Sequence, residues 1–331
     1  MARLRVAVLA GGRSSEHEIS LASARSVLES LDPEQYDVVT VAIGRDGRWE
    51  LGSGDGSVAE TLPVPAANAP AALGAVDVVL PILHGPFGED GTVQGLLELA
   101  GVAYVGAGVA GSALCMDNDL FKKVLRDSGI PVARHVALRP GDPVQNPFGY
   151  PCFVKPARLG SSVGITKVHD EDELAPALEL AFRHDEKVLV EEFVDGIEVE
   201  VGVLGNFAPI ASLPGQIVPL GHEWYDYSSK YDEGGMDLVI PPDLPADVIE
   251  QVQRVAIEAF RVTECEGMAR ADCFVVGGAV VVNELNTIPG FTATSVYAKL
   301  FEASGVPYEE LLRRLIDLAL ERQQRRAKLE Y

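Results

Sequence analysis

At 331 residues the chain is long enough for two or three domains with cores of their own. Its 47% apolar content and 33 glycines are those of an ordinary α/β enzyme, and no apolar, uncharged run of about 18 residues offers a membrane span. A net charge of −22 argues against a nucleic-acid backbone as partner.

The N-terminal Met1-Ala2-Arg3-Leu4-Arg5 leads straight into a strand and carries no signal-peptide pattern. Cys115, Cys152, Cys265 and Cys273 are scattered without metal-like spacing, which fits reduced thiols in a cytoplasmic protein. Arg3 to Leu9 reads as a continuous apolar strand ending in Gly11-Gly12. A helix follows, with Leu21, Ala24, Leu28 and Leu31 on one stripe. Further strands are expected over Tyr36–Ile43 and Val76–Leu83, so the first unit is a parallel sheet covered by helices. Its active loops belong at the strand ends, where Gly11 to Glu16 and His84 to Gly91 fall. The Gly-, Pro- and Ala-rich stretch from Gly52 to Ala72 reads as a loose excursion.

A second unit starts near Met116, with a helix from about Asp117 to Ser128. Strands follow at Cys152–Lys155 and Ile165–Val168, then a helix over Asp172–Arg183 and a strand over Lys187–Phe193. A third unit runs from about Asn206 to the end. It holds a polar loop from His222 to Asp237, a helix over 246–262, a hairpin and two closing helices. The last turn, Arg322 to Lys328, is basic and reads as a solvated face.

The hairpin carries the sharpest chemistry. Cys273 to Val276 and Ala279 to Val282 flank Gly277-Gly278, a two-residue turn between β-prone runs. A turn there brings Asp272 within about one residue of Glu284, and Glu284 shares a face with Asn286. Three oxygen ligands then converge with Arg270 two residues away, a set that suits Mg²⁺ and substrate phosphates. A solvated acidic face is the alternative, but Val280 to Val282 and Leu285 make the strand apolar, and buried carboxylates need cations or donors.

Lys155 ends a strand before Gly160-Ser161-Ser162-Val163-Gly164, a small-residue loop able to present N–H groups and hydroxyls to a phosphate beside a lysine. It lacks the Gly-Lys-Ser/Thr of a P-loop, and an ordinary turn is its bland alternative. Glu191 and Glu198 lie where a strand end and a carboxylate can accept hydrogen bonds from a nucleotide, an exposed edge strand being the alternative. Gly106-Ala107-Gly108-Val109-Ala110-Gly111 matches a dinucleotide fingerprint but sits about a hundred residues from the first βα turn, so it is read as a decoy.

Taken together, these segments resemble the D-alanine–D-alanine ligase family of the ATP-grasp superfamily over essentially the whole length. Five segments carry the resemblance: Ala10 to Ser20, Leu83 to Gly95, Val154 to Gly164, Tyr225-Asp226-Tyr227 with Lys230-Tyr231, and Glu284 to Thr292. It implies an α/β, three-domain ATP-grasp architecture. Residues 1–115 would form the parallel-sheet domain, 116–205 the central subdomain with the phosphate loop, and 206–331 the subdomain with the Mg²⁺ hairpin. It implies joining of two D-alanines through D-alanyl phosphate for peptidoglycan synthesis, by a cytoplasmic homodimer that uses ATP and two Mg²⁺ (or Mn²⁺) and binds neither membrane nor nucleic acid.

The resemblance also assigns roles. Asp272, Glu284 and Asn286 would hold metal; Lys155, Ser162, Glu191, Glu198, Lys230 and Asn118 would meet ATP; Arg270 would neutralise the tetrahedral intermediate. Glu16 would take the first substrate's ammonium, with His84 near it, while Ser295 and Gly290 would serve the second substrate. Glu16, Ser161 and Tyr231 would be linked by hydrogen bonds when the site closes. Tyr231 favours an amine acceptor; ligases that make D-alanyl-D-lactate carry a different loop, often with histidine. A related ligase with a D-serine or D-lactate acceptor, or a catalytically silent nucleotide-binding paralogue, is the alternative. One residue departs from the family pattern: Asn118 stands where a lysine usually follows Met116-Asp117, with Lys122 and Lys123 one turn on as possible substitutes for its charge.

Overall fold

A computed structural model of the chain describes residues 3–52, 61–64, 76–160, 162–220 and 235–330; the expectations at Ser161, Lys230 and Tyr231 lie outside them. Three sheets organise the described chain. The first contains β1 (Leu4–Gly11), β2 (Tyr36–Ile43), β3 (Trp49–Gly52), β4 (Thr61–Val64), β5 (Val78–Pro81) and β6 (Ala103–Tyr104), in the order β4-β3-β2-β1-β5-β6. β1 runs parallel to both β2 and β5, which is why Val6, Ala7, Val8 and Leu9 form an unbroken apolar run, buried on both faces. Part of the stretch read as a loose excursion is ordered at this sheet's edge, where β3 pairs antiparallel with β2 and β4.

Helix α1 (His17–Ser30) covers the first sheet with the stripe expected, Ala24 and Leu31 in the core and Leu21 and Leu28 packed against it, and adds two serines to its inward face. Ser20, Ser23, Ala24 and Val27 are its buried residues, while Leu21 and Leu28 are only partly covered. Two serines on a buried face need partners, and both find them at the strand ends: Ser20 Oγ donates to the Ile82 carbonyl and accepts from Gly11 N, and Ser23 serves the site described below. Three helices lead on: α2 (Thr92–Ala100), α3 (Val109–Met116) and α4 (Asn118–Asp127).

The second sheet is antiparallel, in the order β7 (His135–Leu138), β10 (Val188–Glu192), β8 (Cys152–Pro156), β9 (Thr166–Val168), and α5 (Glu171–Phe182) packs on it. The third sheet holds β11 (Ile197–Gly205), β12 (Ile210–Ala211), β13 (Gly215–Pro219), β14 (Met236–Val239), β15 (Gly267–Val276) and β16 (Ala279–Asn286), with α6 (Ala246–Val262) against it. β11 pairs with β15 along its whole length, so the border between the second and third sheets falls between Glu192 and Ile197 rather than after residue 205.

Helices α7 (Val296–Ala303) and α8 (Tyr308–Arg326) return to the first domain. Phe291, Tyr297, Phe301, Leu311 and Leu315 share one core with Val6, Val8 and Leu80. The basic last turn corrects an expectation. Arg322 is not solvated: it is buried, donates to the carbonyls of Tyr104 and Gly106, and stacks over the Tyr104 ring at 4.2 Å. Arg325 pairs with Glu266 and Arg326 with Glu98. The glycine decoy has a structural use at the same junction, since a Cβ on Gly267 would lie 3.0 Å from Gly106 N and one on Gly111 would lie 3.0 Å from the Glu264 carbonyl.

Candidate active site

Gly277 and Gly278 take positive φ (56° and 89°), as a two-residue hairpin turn of this hand requires. Counting back from that turn places Asp272 opposite residue 283, yet the register is Asp272↔Glu284, because a bulge follows Asp272 and leaves Asn283 outside the ladder. The expected convergence is therefore tighter than simple counting gives. Asn286 Nδ2 lies 2.9 Å from Asp272 Oδ2 and 3.5 Å from Glu284 Oε1. Arg270 forks onto both oxygens of Asp272 at 2.7 Å and reaches Glu200 Oε2 at 2.9 Å. Glu200, opposite Asp272 on β11, was not singled out in the sequence; its side chain is fully buried. Two carboxylates thus meet one guanidinium, and Asp272, Glu284 and Asn286 on the hairpin each carry an oxygen able to serve as a hard donor. That donor set fits a divalent cation that completes its shell with phosphate oxygens and water. No cluster of three His, Cys, Asp or Glu side chains suited to a metal forms among the described residues.

Beside the hairpin opens a cavity of about 440 Å³ between the second and third sheets. Lys155, Ser162, Glu191, Glu198 and Glu284 line it, along with Phe153, Phe193 and Phe274. Gly160 and Ser162, the latter at φ 58°, stand on its wall. Glu191 lines this cavity and is also paired with two lysines. Its oxygens are taken by Lys155 Nζ and Lys122 Nζ, each at 3.0 Å. Burial pushes this carboxyl up, but the two lysines outweigh it and hold it down at about 2. Burial in turn draws Lys122 down to about 8 against the pull of Glu191. Nor do the neighbours of Asn118 supply a replacement charge: Lys122 is bound to Glu191 and Asn283, and Lys123 to Asp119. Asn118 itself opens α4, donates its backbone N–H to Ala157 O, and lines this cavity and the next.

The second cavity, about 410 Å³, lies between the strand ends of the first sheet and the segment after β16. Glu16, His84, Arg270, Glu284, Asn286, Gly290 and Ser295 all line it. His84 is held from both sides: Nδ1 donates to Ile288 O at 2.9 Å and Nε2 accepts from Ser23 Oγ at 3.2 Å, while Ser23 Oγ accepts from Phe291 N. Burial keeps the imidazole below its usual value, against the nearby Glu16 carboxylate, so it is neutral, positioned, and without a ring nitrogen to spare. Gly85 has φ 73°, and a Cβ there would meet Glu16 Oε2 at 2.5 Å, so only glycine admits the carboxylate. Glu16 Oε2 also lies 3.8 Å from where a Gly160 Cβ would stand, beside the phosphate loop. Ser295 stands at the N-cap position of α7 without a side-chain bond to the helix; its hydroxyl lies 2.8 Å from Thr292 Oγ1 and accepts from Thr292 N at 3.0 Å, and a helix N-terminus beside a cavity favours a carboxylate. Glu89 was missed as an individual residue, although its motif was noted. It accepts from Gly85 N at 2.7 Å, and burial together with Glu16 pushes it up to about 8.

The cavities share Asn118, Leu159, Gly160 and Glu284, so they are two ends of one cleft with the hairpin at the seam. A nucleotide-sized cleft between two antiparallel sheets, joined to a small polar cavity over a parallel sheet, defines an ATP-grasp enzyme. Residues 5–107 match the family described as D-ala D-ala ligase N-terminus, and residues 124–317 match D-ala D-ala ligase C-terminus. A D-alanine–D-alanine ligase of Solibacter usitatus is 47% identical over 326 residues, covering 97% of this chain and 96% of the relative. Among solved structures, the D-alanine–D-alanine ligase of Coxiella burnetii aligns at 40% identity and TM-score 0.88, covering 99% of this chain and 97% of its own. The VanG D-Ala:D-Ser ligase of Enterococcus faecalis aligns at 35% and 0.86 (96% and 100%), and a Bacillus anthracis D-alanine–D-alanine ligase complexed with ATP at 28% and 0.81 (98% and 99%). The chain belongs to the D-alanine–D-alanine ligase family.

Proposed function

We propose that this protein is an ATP-dependent D-alanine–D-alanine ligase that makes the dipeptide of peptidoglycan precursors. The observation that carries the reading is the shared seam: a nucleotide-sized cavity and a small polar cavity meet at Glu284 and Asn118, with Arg270 and Asn286 beside them. A γ-phosphate lying at that seam is within reach of an amino-acid carboxylate in the second cavity.

In the first step a carboxylate oxygen of one D-alanine attacks the γ-phosphorus, giving D-alanyl phosphate and ADP. The amine of the second then attacks the acyl carbon, and phosphate leaves. Lys155, fixed by Glu191, offers its ammonium to the phosphates, and Ser162 with the Gly160 backbone closes over them. Ser161 belongs to that loop, and Lys230 and Tyr231 to the substrate loop. Glu198 serves the ribose side, while Glu191 acts by holding Lys155 rather than by touching nucleotide. Glu16 binds the first ammonium, with neutral His84 shaping the wall beneath it. Ser295 and the N-terminus of α7, with Gly290 leaving room, receive the carboxylate of the second D-alanine. Arg270 faces the oxygen that gains charge in the tetrahedral intermediate, where a preorganised charge acts most strongly. Asp272, Glu284 and Asn286 would hold Mg²⁺ or Mn²⁺, which when bound would supply charge neutralisation for the phosphates. The family context supports a cytoplasmic homodimer; no described helix is long and apolar enough to cross a membrane.

Incubating the purified chain with ATP and a panel of D-alanine, D-serine and D-lactate, with ADP and product as readouts, tests the reading. ADP formation that depends on D-alanine and yields D-alanyl-D-alanine is expected. Strong turnover with D-serine or D-lactate and little with D-alanine alone overturns it.

A further inference from the structure

The bulge in the metal-binding hairpin has an anchor that touches neither cavity. Asp272 faces Glu284 and Cys273 faces Val282, so Asn283 has no partner strand residue. Its carbonyl instead accepts from Lys122 Nζ at 2.8 Å, and its Oδ1 lies 3.4 Å from the same ammonium. The third contact of that ammonium is Glu191 Oε2 at 3.0 Å. The ammonium thus donates to Asn283 and is ion-paired with Glu191, held between these two residues. Lys122 is 0% exposed and lies on α4, outside the walls of both cavities. Just before the bulge, Val282 N donates to Pro131 O at 2.9 Å, so the strand is pinned on one side of Asn283 by backbone and at Asn283 by the lysine.

A fully buried ammonium is costly unless every donor is used, and its commonest structural use is to select one register among several. Register matters here because one residue of slip in a strand turns every side chain to the opposite face. Without the bulge, residue 283 would face Asp272 and Glu284 would point away from it. Glu191 Oε1 also holds Lys155 at 3.0 Å, so one run of contacts joins Lys155, Glu191, Lys122 and Asn283 to Glu284.

We propose that Lys122 is a positioning residue that holds the Asn283 bulge, and through it the facing of Asp272 and Glu284, in step with the phosphate lysine Lys155. The inference rests on the nucleotide and metal reading given above. It is tested by measuring ADP affinity with and without Mn²⁺ in wild type and in Lys122→Met, each checked for folding by thermal unfolding. Wild type should gain affinity on adding Mn²⁺. In Lys122→Met that Mn²⁺-dependent gain should fall by about tenfold or more, as for lost outer-shell support, with metal-free ADP affinity nearly unchanged. If the single variant does not fold, Lys122→Met/Glu191→Met replaces the buried pair by apolar volume, a change proteins commonly tolerate. The ratio of affinities with and without Mn²⁺ should fall in it as well. An unchanged ratio in either folded variant overturns the proposal and leaves the nucleotide reading intact. A wild type that binds no ADP under either condition overturns the nucleotide reading and this inference with it.

Discussion

On the strand side of the cleft the charged groups stand on strands of the second and third sheets and pair within each sheet: Lys155 on β8 with Glu191 on β10, and Arg270 with Asp272 on β15. On the amino-acid side they come from loops far apart in the chain. Glu16 follows β1, His84 and Glu89 follow β5, and Ile288 to Ser295 follow β16, joined by contacts such as His84 to Ile288, 204 residues away. The first side is fixed by sheet register and by paired charges. The second is fixed only when two domains pack, which they do through the shared core of β1, α7 and α8. Substitutions on the strand side should therefore alter charge without moving the site. Those on the loop side should respond to pH and to packing.

Arg270→Ala gives the largest effect on the strand side. Removing a donor to the developing oxyanion lowers kcat by about 10²–10³-fold, and breaking the buried Arg270–Glu200 ion pair lowers stability by about 3 kcal/mol. Arg270→Lys should recover part of the stability but little of kcat, because an ammonium cannot fork onto Asp272 while reaching Glu200. Steady-state kinetics and thermal unfolding of both variants read the two effects apart; a normal kcat with a raised KM for ATP contradicts the assignment.

Lys155→Ala comes next. Its ammonium is one charge-assisted donor, so the KM for ATP should rise by about 10–100-fold, with a smaller change in the KM for D-alanine. Lys122 keeps Glu191 paired in this variant, so the thermal midpoint should move little. Equal losses for both substrates, or a large drop in midpoint, would mean that the strand side does not bear charge independently of its packing.

The same contrast sets what could be read from the chain alone. The hairpin was legible because Gly277-Gly278 fixes a two-residue turn and period-two alternation then places Asp272, Glu284 and Asn286 together. Counting missed the bulge, since nothing in Asn283 itself announces that Lys122 will take its carbonyl. Strands β1 and β2 were readable as apolar runs, whereas β3 and β4, short and at an edge, lie in a stretch whose composition is that of a loop. On the loop side, Glu16, His84 and Ser295 were reachable only through family resemblance, because residues so distant in sequence carry no local sign of meeting. Glu191 shows a different limit. Its strand was legible and its pairing with Lys155 follows from neighbouring strands, but its contact with Lys122 depends on where α4 packs, which pattern cannot place.

Glu89→Gln probes the loop side through pH. Burial and the neighbouring Glu16 raise the Glu89 carboxyl from an ordinary 4.5 to about 8 in the folded chain. The folded state therefore binds the proton more tightly than the unfolded state. The resulting stability is complete below about 4.5 and is lost as pH rises through about 8. Glutamine removes this dependence. The thermal midpoints of variant and wild type should lie close together at acidic pH and separate toward pH 8, with the variant higher. Midpoint curves that stay parallel across that range would show that Glu89 does not hold its proton.

Asn118→Lys carries the smallest expected effect and bears on the seam itself. Residue 118 lines both cavities, and its side-chain Oδ1 is buried without a hydrogen-bond partner. The lysines one turn along α4 are already committed, Lys122 to Glu191 and Asn283, Lys123 to Asp119. No side chain in that turn therefore makes up for the cation that the family pattern places at 118. A charged donor to phosphate contributes about 1–2 kcal/mol more than a neutral one. Part of that gain is offset by desolvating an ammonium at a buried position. The KM for ATP of Asn118→Lys should therefore fall by a few-fold, with a smaller change in the KM for D-alanine. An unchanged or higher KM for ATP would mean that residue 118 does not meet the phosphates, and that Lys155 is the cation serving them from this wall.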